Sequence, residues 1–140
     1  MTDDSRLRGI SVSLTELGNW LLDVKEEQWI AYRDSPCISQ CSHPERNEKI
    51  ANLLRWGIID HKGKFGVLLR CRGPCSERVY AMTQQACPGE LIMLLENGSA
   101  RAIFDGENIE PGESRSYSDP PLLEVAAETI IFLLAVFRKG

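Results

Sequence analysis

Apolar and polar positions divide this chain into a front with helical spacing and a back broken by turns at strand-like intervals. Leu14, Leu17, Leu21 and Val24 recur every three or four residues, and Ser13-Leu14-Thr15-Glu16 has the form of a capping box. This spacing predicts a helix from Ser13, in which Gly18 costs roughly 1 kcal/mol relative to alanine. Gln28 to Arg33 carries Trp29, Ile30 and Tyr32, which suit a short strand as well as a continued helix. A second helix is signalled by Ser42 as cap, Pro44 near the first turn and Glu45 completing a capping box, with Gly57 as its stop. Its apolar stripe is Ile50, Leu53 and Leu54, and Arg46, Lys49 and Arg55 lie outside that stripe. Gly57 to Asp60, a His61-Lys62-Gly63-Lys64 turn and Phe65 to Arg70 then read as a β-hairpin.

From Cys87 onward Pro88-Gly89, Asn97-Gly98, Asp105-Gly106, Pro111-Gly112 and Pro120-Pro121 mark turns at short intervals. The segments between them, Leu91–Leu95, Ala100–Phe104, Glu113–Tyr117, Leu122–Ala126 and Ile130–Phe137, are expected to be strands. The last reads IIFLLAVF, apolar at every position, and fits a buried central strand or a buried helix continuing from Leu122. Glu124 and Glu128 interrupt that stretch, and it falls short of the roughly 20 apolar residues a membrane helix needs. The fold class expected is α+β: N-terminal helices plus a β-hairpin packed on a C-terminal antiparallel β-sandwich or small barrel. Residues 1–86 would form the helical lobe and 87–140 the turn-rich β-unit, or the two would be one continuous domain.

Composition adds little to that picture. Apolar residues are 43% and charged residues 26% of the 140, the balance of a globular protein. The first residues have no apolar run of signal-peptide length, so a cytoplasmic protein with no membrane segment is expected, particle-associated if it is a virion component. Charge changes the picture more. The net charge of −4 resolves into −3 over residues 1–43, +4 over 44–78 and −5 over 79–140, so an acidic chain carries a basic middle.

Chemistry concentrates in the same middle. Two Cys-x3-Cys pairs, Cys37/Cys41 and Cys71/Cys75, could supply the four ligands of a structural zinc, with His43, His61 or Cys87 able to replace one thiolate. Against that stand plain burial of the thiols and, for a chain with an odd five cysteines and no export signal, a disulfide. The run Ile50-Ala51-Asn52-Leu53-Leu54-Arg55-Trp56-Gly57-Ile58-Ile59, with the Lys/Gly turn and Phe65–Leu69, resembles the end of a winged-helix domain. That resemblance implies a recognition helix placing Arg46, Lys49 and Asn52 in a DNA groove, and a wing placing Lys62 and Lys64 on phosphates. The alternative for the same residues is an amphipathic helix and hairpin with solvated charges.

Enzyme motifs are missing. There is no Gly-x-Ser-x-Gly elbow, no phosphate-binding glycine loop and no His-Glu-x-x-His. A thiol nucleophile at Cys71, with His61 as base and Arg70 and Arg72 lowering its pKa, is the remaining catalytic or redox-sensing reading. Glu107, Glu110, Glu113 and Asp119 gather in one turn-rich region that suits a cation or an ordinary solvated loop. The leading functional expectation is therefore a non-catalytic assembly or interaction module without a cofactor, partnered by itself as a homo-oligomer or by another protein. Its most concrete form is a small structural subunit of virion, adaptor or fibre type, since the C-terminal 50 residues loosely resemble the small β-modules of viral particles and fibres. A winged-helix-like DNA-binding regulator with a structural zinc is the alternative, and a thiol enzyme or redox sensor the second.

Overall fold

The computed structural model describes residues 14–32, 35–54, 64–79, 89–98, 102–117 and 121–138. Helix α1 covers residues 14–22. A 3-10 turn at Glu26–Gln28 leads into strands β1 (Trp29–Ala31) and β2 (Ile38–Cys41), followed by helix α2 (Arg46–Leu54). Eight strands come next: β3 (Lys64–Arg72), β4 (Cys75–Arg78), β5 (Gly89–Asn97), β6 (Ala102–Phe104), β7 (Glu107–Ile109), β8 (Ser114–Tyr117), β9 (Leu122–Val125) and β10 (Ile130–Arg138).

These eight pair as nested antiparallel hairpins: β3 with β10, β4 with β9, β5 with β8, and β6 with β7. The resulting ribbon rolls over into two sheets, because β10 also pairs with β5 and β9 with β6. One sheet runs β1-β2-β3-β10-β5-β8 and the other β4-β9-β6-β7. This is jelly-roll connectivity, in which two Greek keys fold a double sheet around one core. The β-rich part of the expected fold class is thus correct, with few helices beside it. The expected segments 1–86 and 87–140 share both sheets, β3 pairing with β10 and β4 with β9.

Strand alternation sorts the side chains into two cores. Leu69, Leu91, Met93, Leu123, Ile131 and Leu133 point between the sheets, none of them more than 1% exposed. Leu68, Ile92, Leu94, Phe132, Leu134 and Val136 point outward, where Leu14, Leu17 and Leu21 of α1 and Trp29 of β1 cover them. Each neighbour on β10 therefore enters a different core. This explains why IIFLLAVF is apolar throughout, and it settles residues 122–137 as strands rather than a helix. Gly18 also acquires a reason: a Cβ there would sit 3.1 Å from Leu95 Cβ and 3.2 Å from Leu94 O, so α1 rests on β5 at the residue that weakens it.

One local expectation needs correction. Ser42 does not cap α2, because its Oγ donates to Gln28 O at 2.8 Å; His43 Nδ1 instead accepts the Glu45 N–H at 3.0 Å. Phe65 to Arg70 is a strand as expected, and the described partners of β3 are β10 along its length and β2 at Leu69–Cys71. The first arm of the expected hairpin, Gly57 to Asp60, lies outside the described residues. Asp105-Gly106, by contrast, makes the turn its sequence signals. With φ of 50° and 83° it closes β6 onto β7 as a type I′ turn, and Asp105 Oδ1 accepts the Leu122 N–H at 2.8 Å. Among the described residues no helix is long and apolar enough to cross a membrane.

The chain changes sheets at Gly73-Pro74, between β3 and β4. Gly73 N donates to Thr129 O at 2.8 Å, and a Cβ on Gly73 would overlap the carbonyl oxygen of Ala126. Because backbone rather than a flexible side chain stands in the way, Gly73→Ala is expected to lower the unfolding free energy by about 3 kcal/mol, read from urea denaturation.

Candidate functional site at the sandwich corner

The sheet change brings cysteines together. Cys71 ends the inward row of β3 and Cys75 begins that of β4, so the intervening turn sets them face to face at one corner of the sandwich. Cys37 arrives from the segment before β2, fixed where Arg72 N donates to its carbonyl oxygen at 3.0 Å and Ile38 pairs with Cys71. The sulfur atoms of Cys37, Cys71 and Cys75 lie within 4.8 Å of one another. Cys37 and Cys75 form a disulfide, with Cα atoms 6.0 Å apart, and Cys71 is the free thiol beside it. The disulfide joins the six-stranded sheet to the first strand of the four-stranded one.

Two polar residues complete the corner. Glu77 shares a face of β4 with Cys75, two residues away, and its Oε2 lies 3.2 Å from Cys37 Sγ. Ser35 Oγ donates to the same carboxylate oxygen and accepts the N–H groups of Cys37 at 3.2 Å and Ile38 at 2.9 Å. Burial, with Glu77's negative charge adding to it, pushes the Cys71 thiol up to about 12. Cys71 thus stays a neutral thiol at ordinary pH. That corrects the expectation of an activated nucleophile, because Arg70 and Arg72 project to the opposite face of β3 and meet Glu26. His61, the expected base, lies outside the described residues.

The four-cysteine set is corrected as well. Cys41 lies three residues beyond Ile38 on β2, and the two residues enter opposite cores. The Cys41 thiol is buried on the helix side of the sheet and raised by that burial. Three of the four candidate ligands therefore converge, and the Glu77 carboxylate lies beside one of them, Cys37. Cys87 lies outside the described residues. Glu77 left a faint signal in the sequence, its i+2 spacing from Cys75, which acquires meaning only once 75–78 is known to be a strand.

Of the residues named for nucleic acid, Arg46 and Lys49 have described side chains. Lys49 Nζ lies 5.4 Å from the centre of the Trp20 ring, and Trp20 meets His43 edge-on at 5.0 Å. Arg46 Nη1 folds back on its own helix start, donating to His43 O at 2.9 Å and Ser42 O at 3.4 Å. Both cations are thus spent on packing the helices. Asn52 and Lys64 are placed by backbone alone, on α2 and at the start of β3, and Lys62 lies outside the described residues.

Two further features belong to the site survey. A concavity of about 610 Å³ at the four-stranded sheet is lined by Pro74, Cys75, Ser76, Ile103, Glu124, Val125 and Ala126. In the acidic loop, Glu113 accepts the Glu110 N–H at 2.8 Å and meets Arg115 at 3.2 Å, which ties that carboxylate to its own turn. On the helix side, Arg70 is 7% exposed and makes a two-pronged pair with Glu26, at 2.8 and 3.0 Å, with its guanidinium 4.7 Å from the Trp29 ring centre. Arg72 adds a third contact to the same carboxylate at 2.9 Å.

Comparison with known protein families and with curated proteins finds no match. Among solved structures the chain is similar to KdgF from Halomonas sp., with 12% identity, a TM-score of 0.39, and coverage of 84% of this chain and 92% of that one. A likeness of this size carries no argument about function.

Two outcomes follow from these contacts. The Cys37–Cys75 bond closes a sequence separation of 38 residues, so replacing Cys75 with alanine should lower the stability of the oxidised protein by up to about 4 kcal/mol in a denaturant titration. Hydrogen bonding from Arg70, with the charges of Arg70 and Arg72, holds the Glu26 carboxyl below its ordinary value of 4.5. A depressed folded value means that this stabilisation is present above pH 4.5 and lost as pH falls through the lower one. Glu26→Gln should accordingly lose less stability than the parent chain on acidification below 4.5, followed by thermal unfolding across pH.

Proposed function

We propose that this chain is a non-catalytic interaction module that works as a homo-oligomeric structural subunit of adaptor, fibre or virion type. The observation that carries the reading is the filled interior. Jelly rolls that act on ligands hold them between the sheets, whereas the described interior positions of this one are buried hydrocarbon apart from Tyr32 and the corner thiols. What is left for recognition is surface. Helix α1, with Ile50 of α2 beside it, covers Leu68, Ile92 and Leu134 on the outer face of the six-stranded sheet. The outer face of the four-stranded sheet carries half-buried Ile103 and the concavity beside it, with β4 and β7 at its edges. A second copy laid on it would remove Ile103 from water.

The DNA-binding reading finds less support, since Arg46 and Lys49 are committed to the helix pair. Size-exclusion chromatography with light scattering tests the proposal. A mass that is a multiple of the 15.7 kDa chain is expected, falling toward one chain when Ile103→Glu places a charge on the open face. A single-chain mass that does not change with protein concentration would remove the self-assembling form of the reading.

A further inference from the structure

We infer that, once the Cys37–Cys75 bond is reduced, Cys37, Cys71, Cys75 and Glu77 bind one thiophilic divalent cation of the zinc class. Zinc takes four donors in a tetrahedron, with thiolates at about 2.3 Å and carboxylate oxygens slightly closer, which places neighbouring sulfurs about 3.8 Å apart. Three sulfurs within 4.8 Å of one another are already gathered to that scale. Glu77 Oε2 lies beside that cluster, 3.2 Å from Cys37 Sγ, as the nearest carboxylate to supply a fourth donor once the bond is open.

The support around these donors has the character of a second shell. Ser35 Oγ holds the Glu77 carboxylate while taking the N–H groups of Cys37 and Ile38, so one hydroxyl orients two of the four donors. Cys71 and Cys75 are anchored on strands of different sheets, and Cys37 by its carbonyl bond to Arg72. Half-buried Cys37 and Glu77 give the buried pair a route to solvent. Cys41, buried across the sheet, has no part in it.

The disulfide and the cation exclude one another. With the bond closed, two of the four donors are spent on each other. A dithiol reductant supplies two electrons and two protons, closes its own disulfide and leaves Cys37 and Cys75 as thiols. Cation binding then releases one proton from each of three cysteines, with Glu77 binding as the carboxylate. The corner is held shut in both states, by a covalent bond under oxidising conditions and by a metal under reducing ones. This inference does not depend on the assembly reading, because a monomer would bind the cation equally well.

Cobalt(II) alone, titrated into the reduced full-length chain without oxygen, provides the test. One cobalt per chain is expected, with the intense visible absorption of a tetrahedral thiolate site, displaced by zinc(II) and absent from the oxidised chain. Cys71→Ala and Glu77→Gln should weaken binding by about 100-fold or more, Ser35→Ala by roughly 10-fold, and Cys41→Ala and Cys87→Ala not at all. Glu77→Gln, on an edge strand, keeps the test decisive if Cys71→Ala does not fold. No thiolate spectrum in the reduced chain, equal binding by the oxidised chain, or unchanged affinity in Glu77→Gln would overturn the site. So would loss of binding in Cys41→Ala or Cys87→Ala with retention in Cys71→Ala.

Discussion

Everything in this molecule depends on β10 being buried on both faces. It lies between β3 and β5, and its alternate side chains serve two cores, Ile131, Leu133 and Ala135 inside the sandwich and Phe132, Leu134 and Val136 beneath the helices. A strand with both faces apolar has no polar side to declare its register, and a slip of one residue would exchange its two faces. The sequence supplies the missing constraint on β3. Arg70 sits opposite Phe132, and in the observed register its guanidinium emerges on the helix side to reach Glu26 and Trp29. Shifted by one, it would leave Glu26 and Trp29 for the interior of the sandwich, at a cost of several kcal/mol. The ion pair matters less for its attraction than for the alternatives it forbids.

The corner cysteines follow from the same geometry. Once β3 is in register, Cys71 must face inward, and the turn at Gly73-Pro74 then carries Cys75 into the other sheet directly across from it. Ile38 pairing with Cys71 brings in Cys37. Three thiols meet because three strand positions were fixed by packing, before any thiol chemistry is considered. Glu77 and Ser35 then give the corner its polarity, and burial keeps Cys71 a thiol.

Much of the back half was legible in the sequence, because its turns are written in local residue pairs. Asp105-Gly106 and Asn97-Gly98 each mark a strand end, and the predicted strands at Leu91–Leu95, Leu122–Ala126 and Ile130–Phe137 lie within two residues of those observed. The helix stripe of Leu14, Leu17 and Leu21 was equally local. What escaped was pairing between distant segments. Phe65 to Arg70 was legible as a strand, but nothing local announces that its full-length partner is β10. The cysteines were grouped by their spacing along the chain, and β2 separates Cys41 from the others by pointing it to the opposite face. The i+2 spacing of Glu77 from Cys75 carried no meaning for the same reason.

The nested order of pairing also dictates when this protein can fold. The outermost pair of the ribbon, β3 with β10, is the one with the greatest separation in sequence, and the six-stranded sheet has a gap at its centre until β10 fills it. A chain emerging from the ribosome therefore holds β3 and β5 with apolar faces and unpaired edges throughout the synthesis of everything between them and β10. Folding must wait until β10 has been made, and it closes long loops when it comes, which places this chain among slow-folding topologies.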